Sequence, residues 1–414
     1  MRSVLRFASV ALLTAAAGCV GEIGGSSDDG PGPPSLPALE ASPSTLHRLT
    51  AIQIQNSYRD LLGEPLEVPS DLPKDDLLYG FTSIAAAGST ISSVDAEKYE
   101  KAAYAALDQI WADPARRDAF VGCAPASMSD PCVRGFLETF TERAWRRPVT
   151  TEEIDQLVAV GSAIAPDLGD ATALEYSVAA VLQSPSFLFR VELGEPLPGE
   201  TDGVLRYTSW EMASRLSFLV TDAPPDEELT ESARNGDLVD PALLEQQARR
   251  LVDDPRARPA LVRFFRDFMQ IGNLDHLDKN PDRFPAFSAT LGPAMRGEIE
   301  RMFENVVFEE EADFRTLFTT RETYLNEELA RVYGIEGITG SDWVPVTLPD
   351  DGERGGLLTT AGFLAMNAQK TRTSPTHRGR FIRMNLLCGD IPPPPAGVNT
   401  TLPDPAPGEE TTLR

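Results

Sequence analysis

An all-α fold, built as two packed multi-helix domains with at most a short strand pair, is what the sequence predicts. Three features carry that expectation. Capping boxes and Pro-opened starts recur along the chain, apolar residues return every three or four positions after them, and only one stretch, 341–348, reads as a strand. At 414 residues and 42% hydrophobic, the chain has the length and composition for two domains of ordinary size.

Residues 1–18 read as a signal peptide, with Arg2 and Arg6 before an apolar run over 7–17, too short to span a bilayer. The small residues before Cys19 resemble the bacterial lipobox, in which the cysteine is lipidated and becomes the first mature residue. Val20 stands where an aspartate would mark inner-membrane retention, so the expected location is the outer membrane, facing the periplasm or the cell surface. Residues 19–43, rich in Gly, Ser, Asp and Pro, read as a flexible tether.

An N-terminal helical domain is expected over 44–195. Thr50 and Gln53 form a capping box on a helix that Gly63 stops after Leu62. Asp95 opens a second helix, with Tyr99, Ala102, Ala106 and Ile110 on one face. Cys123 and Cys132 bracket a Pro/Ser loop in an exported chain, which favours a local disulfide over free thiols or metal ligands. A helix through Val133, Phe136, Phe140 and Trp145 ends at Arg146-Arg147-Pro148; Thr150 or Thr151 caps the next, and 170–183 forms another.

Residues 196–203 read as a linker to a C-terminal helical domain over 204–390. Thr208 and Glu211 make a further capping box, Asp240-Pro241 opens a helix, and helices are expected over 258–271, 298–308 and 325–333. Arg354-Gly355-Gly356 leads into an apolar helix through Phe363, and 391–414 is a Pro-rich linker.

The stretch 370–388 is the best site candidate. Ser374-Pro375 is a helix start, and Arg372, Ser374, His377, Arg378 and Arg380 around it would make an anion or partner site. The competing reading is that these arginines pair with the excess carboxylates and pin the helix to an acidic body. With 37 basic against 63 acidic residues, a net charge of −26, nucleic acid is not an expected partner. Loss of 1–18 would leave 35 against 63, or −28.

No phosphate-binding glycine loop, nucleophile elbow, HExxH or CxxCH is present, and His47, His276 and His377 lie far apart in sequence, so no metal ligands are assigned. Asp278-Lys279-Asn280-Pro281-Asp282 alternates oxygen donors as calcium loops do, but Arg283 and Ala289 stand where an EF-hand needs glycine and glutamate. The run Glu309, Glu310, Glu311, Asp313 reads as a solvated helix end.

The order of motifs is recognisable. His47-Arg48-Leu49-Thr50 with Asn56 to Gly63, then FTERAWRRP ending at Pro148, LQSPSFL ending at Leu188 with Leu216 to Leu219, Asn326 to Ile335, and Arg354 to Leu358 with Thr373 to Gly379 together resemble the planctomycete-type and myxobacterial secreted proteins built from serial domains of unknown function 1587, 1595, 1592 and 1588. The resemblance runs from Leu46 to Pro395. It implies no established activity. Relatives often carry c-type cytochrome modules, and a fifth, 1585-like unit typically contains a CxxCH; this chain stops about where that unit would begin, so no haem is assigned to it and haem c is expected only in a further C-terminal unit. The same truncation leaves Cys388 without an obvious partner.

Three function classes stay open: a lipid-anchored scaffold or binding protein of a redox or polymer-degrading envelope assembly, the body of an electron-transfer cytochrome, and a hydrolase or oxidoreductase with an interdomain site. The first expects a membrane contact through the lipid and a cytochrome or other envelope protein as partner. The last requires His377 to meet a carboxylate at hydrogen-bond distance.

Overall fold

The chain enters its folded body through a short strand, β1 (Thr45–Arg48), and turns at once into α1 (Ala51–Leu62). This computed structural model describes residues 45–197, 199, 203–350 and 354–392; the signal segment, the tether with Cys19, and the Pro-rich tail beyond residue 392 lie outside the described residues. The capping box read from sequence is formed. Gln53 N–H donates to Thr50 Oγ1 at 3.3 Å, and Thr50 N–H donates back to Gln53 Oε1 at 3.1 Å.

Helices α2 (Thr82–Gly88), α3 (Ser93–Trp111), α4 (Pro114–Val121), α5 (Pro131–Trp145), α6 (Thr151–Leu168), α7 (Asp170–Gln183) and α8 (Pro185–Leu188) follow. Asp95 does not start α3 as expected. Ser92 caps it, and Asp95 is the reciprocal partner three residues in. A disulfide joins Cys123 to Cys132 across the turn before α5. β2 (Phe189–Glu192) then returns antiparallel to β1, with Arg48 opposite Phe189 and Thr45 opposite Glu192.

A two-residue pair, β3 (Glu195–Pro196) and β4 (Leu205–Arg206), spans the stretch read as a linker. Beyond it come α9 (Ser209–Val220), α10 (Glu227–Asn235), α11 (Pro241–Val252), α12 (Ala257–Phe268) and α13 (Leu291–Glu304), the last continued by a π turn over Asn305–Glu309. β5 (Glu322–Leu325) precedes α14 (Glu327–Tyr333) and pairs with β6 (Val344–Thr347), which lies in the stretch read as a strand. Leu325, expected to begin a helix, ends β5 instead, because Asn326 caps α14 by accepting from the Leu329 N–H at 3.0 Å. α15 (Ala361–Met366) and α16 (Pro375–Phe381), continued by a π turn over Ile382–Leu386, complete the series. The body is therefore helical, with short antiparallel pairs as its sheet among the described residues.

Three apolar clusters hold these elements. One gathers α1, α3, α5 and α7 around Tyr58, Leu107, Leu137 and Phe187; a second gathers α12 to α15 around the stacked rings of Phe265 and Phe303, 4.0 Å apart; a third lies under α9 to α11. Phe218 of α9 is buried in the first cluster, so its ring ties the two halves of the chain with about 2–3 kcal/mol of apolar burial. Gly356 holds φ +73° where a β-carbon would collide with the Phe318 carbonyl, which is why this turn of the RGG motif needs glycine. Among the described residues, no helix is long and apolar enough to cross a membrane.

Candidate functional site

The basic stretch folds locally as its residues predict. Ser374 caps α16, its hydroxyl accepting from the His377 N–H at 3.3 Å, and Pro375 takes the first helical position. Phe381 turns inward against Phe363, ring centroids 5.3 Å apart, and anchors the segment on the second core. With α16 only two turns long, its start offers little dipole of its own.

What distinguishes the segment is its charge. Lys370 pairs with Asp278 at 2.6 Å, but Arg372 donates to the Gln369 side chain, Arg380 lies against Met384 Sδ and Arg383 donates to the Asp390 carbonyl. None of Arg372, Arg378, Arg380 and Arg383 meets a carboxylate among the described residues, whereas most other arginines of the protein do. Among the described residues, these four arginines thus form no ion pair that would pin the helix to an acidic body. His377 is exposed and also meets no carboxylate among the described residues, so the His–carboxylate contact that a catalytic reading of this segment requires is not made. Beside the segment, a cavity of about 320 Å³ is lined by Gln270, Asn367, His377, Arg380, Met384 and Asn385. Its wall is the π turn, a distortion that recurs at functional sites.

The other expectations resolve locally. In the Asp278–Asp282 turn, Asn280 Oδ1 accepts from the Asp282 N–H at 2.8 Å, and the ammonium of the buried Lys279 donates to the Ala368 and Gln369 carbonyls at 3.0 Å each. Among the described residues, no group of three His, Cys, Asp or Glu is placed to hold a metal ion. In the acidic run, Glu309 pairs with Arg258 at 2.7 Å and Asp313 with Arg315 at 2.5 Å. Cys388 is exposed and free.

Two polar constellations were not singled out from sequence. The first surrounds Glu192 at the end of β2, its side chain 1% exposed. Arg190 Nε donates to it at 2.6 Å, Arg215 of α9 at 2.8 Å, and His47 Nε2 stands 3.2 Å away. Burial pushes the His47 pKa down against the pull of Glu192, and the two guanidinium groups push it the same way. Beneath lies Arg146, wholly buried, with no carboxylate among the described residues. It donates to the carbonyls of Ala144, Ser186, Phe187 and Phe189 and lies over the Phe218 ring at 5.4 Å. Burial pulls its pKa down to about 9, which still leaves it charged at neutral pH.

The second constellation is Glu298, buried on α13. Its Oε1 accepts from Thr323 and Tyr333, each at 2.7 Å, while Oε2 has no partner among the described residues. Tyr333 in turn accepts from the Ala361 N–H at 2.9 Å, and the Arg354 guanidinium covers its ring at 4.7 Å. Burial drives the Glu298 pKa up to about 7, the two hydrogen bonds and Arg354 opposing the shift only in part.

Comparison with family models gives the same series that the motifs spell. Residues 47–112 match PSD3, protein of unknown function (DUF1587); residues 132–192 match PSD5 (DUF1595); residues 207–335 match PSD4 (DUF1592); and residues 354–414 match PSCyt3 (DUF1588). The chain belongs to this serial family. No curated protein matches it, and no solved structure does. In this family member both buried carboxylates sit where units meet. Glu192, from the DUF1595 stretch, is held by His47 of DUF1587 and Arg215 of DUF1592; Glu298 of DUF1592 bonds Tyr333, whose ring is covered by Arg354, the first residue of the DUF1588 stretch. The basic stretch 370–388 lies wholly within DUF1588.

Proposed function

We propose that this chain is a binding or scaffold protein of the bacterial envelope, docking an acidic partner on the DUF1588 surface around Arg372, Ser374, His377, Arg378 and Arg380. The observation that carries this reading is the set of four arginines between 372 and 383 that meet no carboxylate among the described residues of a chain with net charge −26. Cations in so acidic a protein find internal partners readily. A cluster that does not is complementary to an external anion. A lipid on Cys19 and a 25-residue tether would let the body reach partners from the outer membrane, and a cytochrome or another envelope protein fits the acidic-partner requirement.

The test is retention on an immobilised polyglutamate matrix at low salt, comparing the full chain with Arg378→Ala/Arg380→Ala. The net charge repels such a matrix, so retention reports the local patch. The expected result is salt-sensitive retention weakened about tenfold or more in the double variant, with helix content unchanged by circular dichroism. Equal behaviour of the two proteins overturns the docking surface. For the anchor, Cys19→Ser is expected to move the protein from the membrane fraction to the soluble one.

A further inference from the structure

A second cleft lies away from the basic segment, where α2, the start of α1, α9 and α12 meet over the β1–β2 pair. It encloses about 440 Å³, within the range of small-molecule sites. Its two ends differ in chemistry. At one end are His47, Arg190 and Arg215 around the buried Glu192; at the other are Phe81, Ile84, Leu219 and Phe264.

The polar end is short of one negative charge. Arg190 commits its Nε to Glu192, and Arg215 commits one terminal nitrogen to Glu192 and Tyr207. The remaining guanidinium N–H groups of both have no hydrogen-bond partner among the described residues, though Arg215 also lies over the Tyr207 ring at 4.9 Å, and both side chains line the cleft. Two permanent cations against one carboxylate leave a net positive charge beside two unused donor forks, the arrangement that takes a carboxylate or phosphate. Other carboxylates of the cleft do not fill this need. Asp222 accepts from Gln53 and Arg263 at 3.0 and 2.9 Å, and Asp267 accepts from the Thr82 amide and hydroxyl.

The apolar end is unusually open to solvent. Leu219 is 76% exposed and Phe264 53%, with the Phe264 ring stacked between Phe81 and Phe268 at 5.7 and 6.1 Å. Phe264 and Leu219 sit on different helices and point into the same space, so they leave an apolar wall uncovered rather than a scatter of surface residues.

We infer that this cleft binds a small anionic amphiphile, one carboxylate head on an unbranched apolar body, with the head on Arg190 and Arg215 and the body against Phe81, Leu219 and Phe264. The site is independent of the docking surface proposed above. Its occupant is a soluble small molecule rather than a bilayer, because one of the two cations, Arg190, is only 20% exposed and sits against the buried Glu192, below the reach of a flat headgroup surface.

Calorimetric titration of the full chain with decanoate below its micelle concentration tests the inference, with acetate and decanol as head-only and body-only controls. Saturable binding of decanoate at least tenfold tighter than either control is expected. Arg215→Ala and Phe264→Ser should each weaken it about tenfold; Phe264→Ser should leave the thermal midpoint nearly unchanged, since its ring is 53% exposed, whereas Arg215→Ala also removes a cation from the buried Glu192 and is read beside the charge-keeping Arg215→Lys. Arg215→Lys should restore part of the affinity. Decanol binding as tightly as decanoate, or indifference to Arg215→Ala, overturns the assignment. So does binding to phosphatidylglycerol vesicles without binding of free decanoate, which would make the cleft a membrane contact.

Discussion

Replacing Glu298 by glutamine should change how stability depends on pH more than stability itself. The carboxyl titrates near 7 in the folded protein against 4.5 for the free side chain, so between those values the native state binds more protons than the unfolded chain. Stability then falls as pH rises from about 4.5 to 7 and levels off above, with a total near 3 kcal/mol at 1.36 kcal/mol per unit. Between pH 5 and pH 8 the share is roughly 2–3 kcal/mol. In Glu298→Gln the amide would keep an oxygen for Thr323 and Tyr333 but put its NH2 group where Oε2 has no partner among the described residues, a pH-independent cost of about 1–3 kcal/mol. The assay is urea unfolding of both proteins at pH 5, 6, 7 and 8. Their difference should shift by 2–3 kcal/mol in favour of the variant as pH rises; parallel profiles would refute the claim that Glu298 is buried at the cost of its charge.

Two further outcomes follow from the buried Arg146 and from the disulfide. Arg146→Met should destabilise the fold by about 3–5 kcal/mol in denaturant titration, because four carbonyls lose their donor at once, and Arg146→Lys should recover only part of that since an ammonium cannot span them all. Reducing the Cys123–Cys132 bridge, or replacing both residues with serine, should lower stability by roughly 2–3 kcal/mol, the chain-entropy value for so short a loop; an unchanged unfolding midpoint would mean that the turn is held by its capping bonds alone.

The helices were legible because their starts are written in neighbouring residues. Thr50 with Gln53, Thr150 with Glu153 and Thr208 with Glu211 each satisfy two free N–H groups across three positions, a pattern that needs no tertiary context. The β1–β2 pair was not legible, since Thr45–Arg48 finds its partner some 140 residues later and neither strand is long enough to alternate visibly. The charge cluster followed from the same blindness. His47, Glu192 and Arg215 are distant in sequence, and only β1 lying beside β2 under α9 brings them together; Glu298 reads as an ordinary helical glutamate until Thr323 and Tyr333 close over it. At 370–388 the residues themselves could be named, because they are contiguous. Whether their charges were already spent on internal carboxylates depended on the rest of the fold.

Glu192 belongs to one family unit and takes partners from two others as well as its own. A relative that lost Arg215 while keeping Glu192 would carry a buried carboxylate with one cation fewer, and one that lost Glu192 would leave two guanidinium groups and an imidazole crowded together. Substitutions at these positions are therefore tolerable chiefly in concert. The DUF1587, DUF1595 and DUF1592 units are thereby coupled electrostatically, so that a change of charge at one of these positions is felt in the other two.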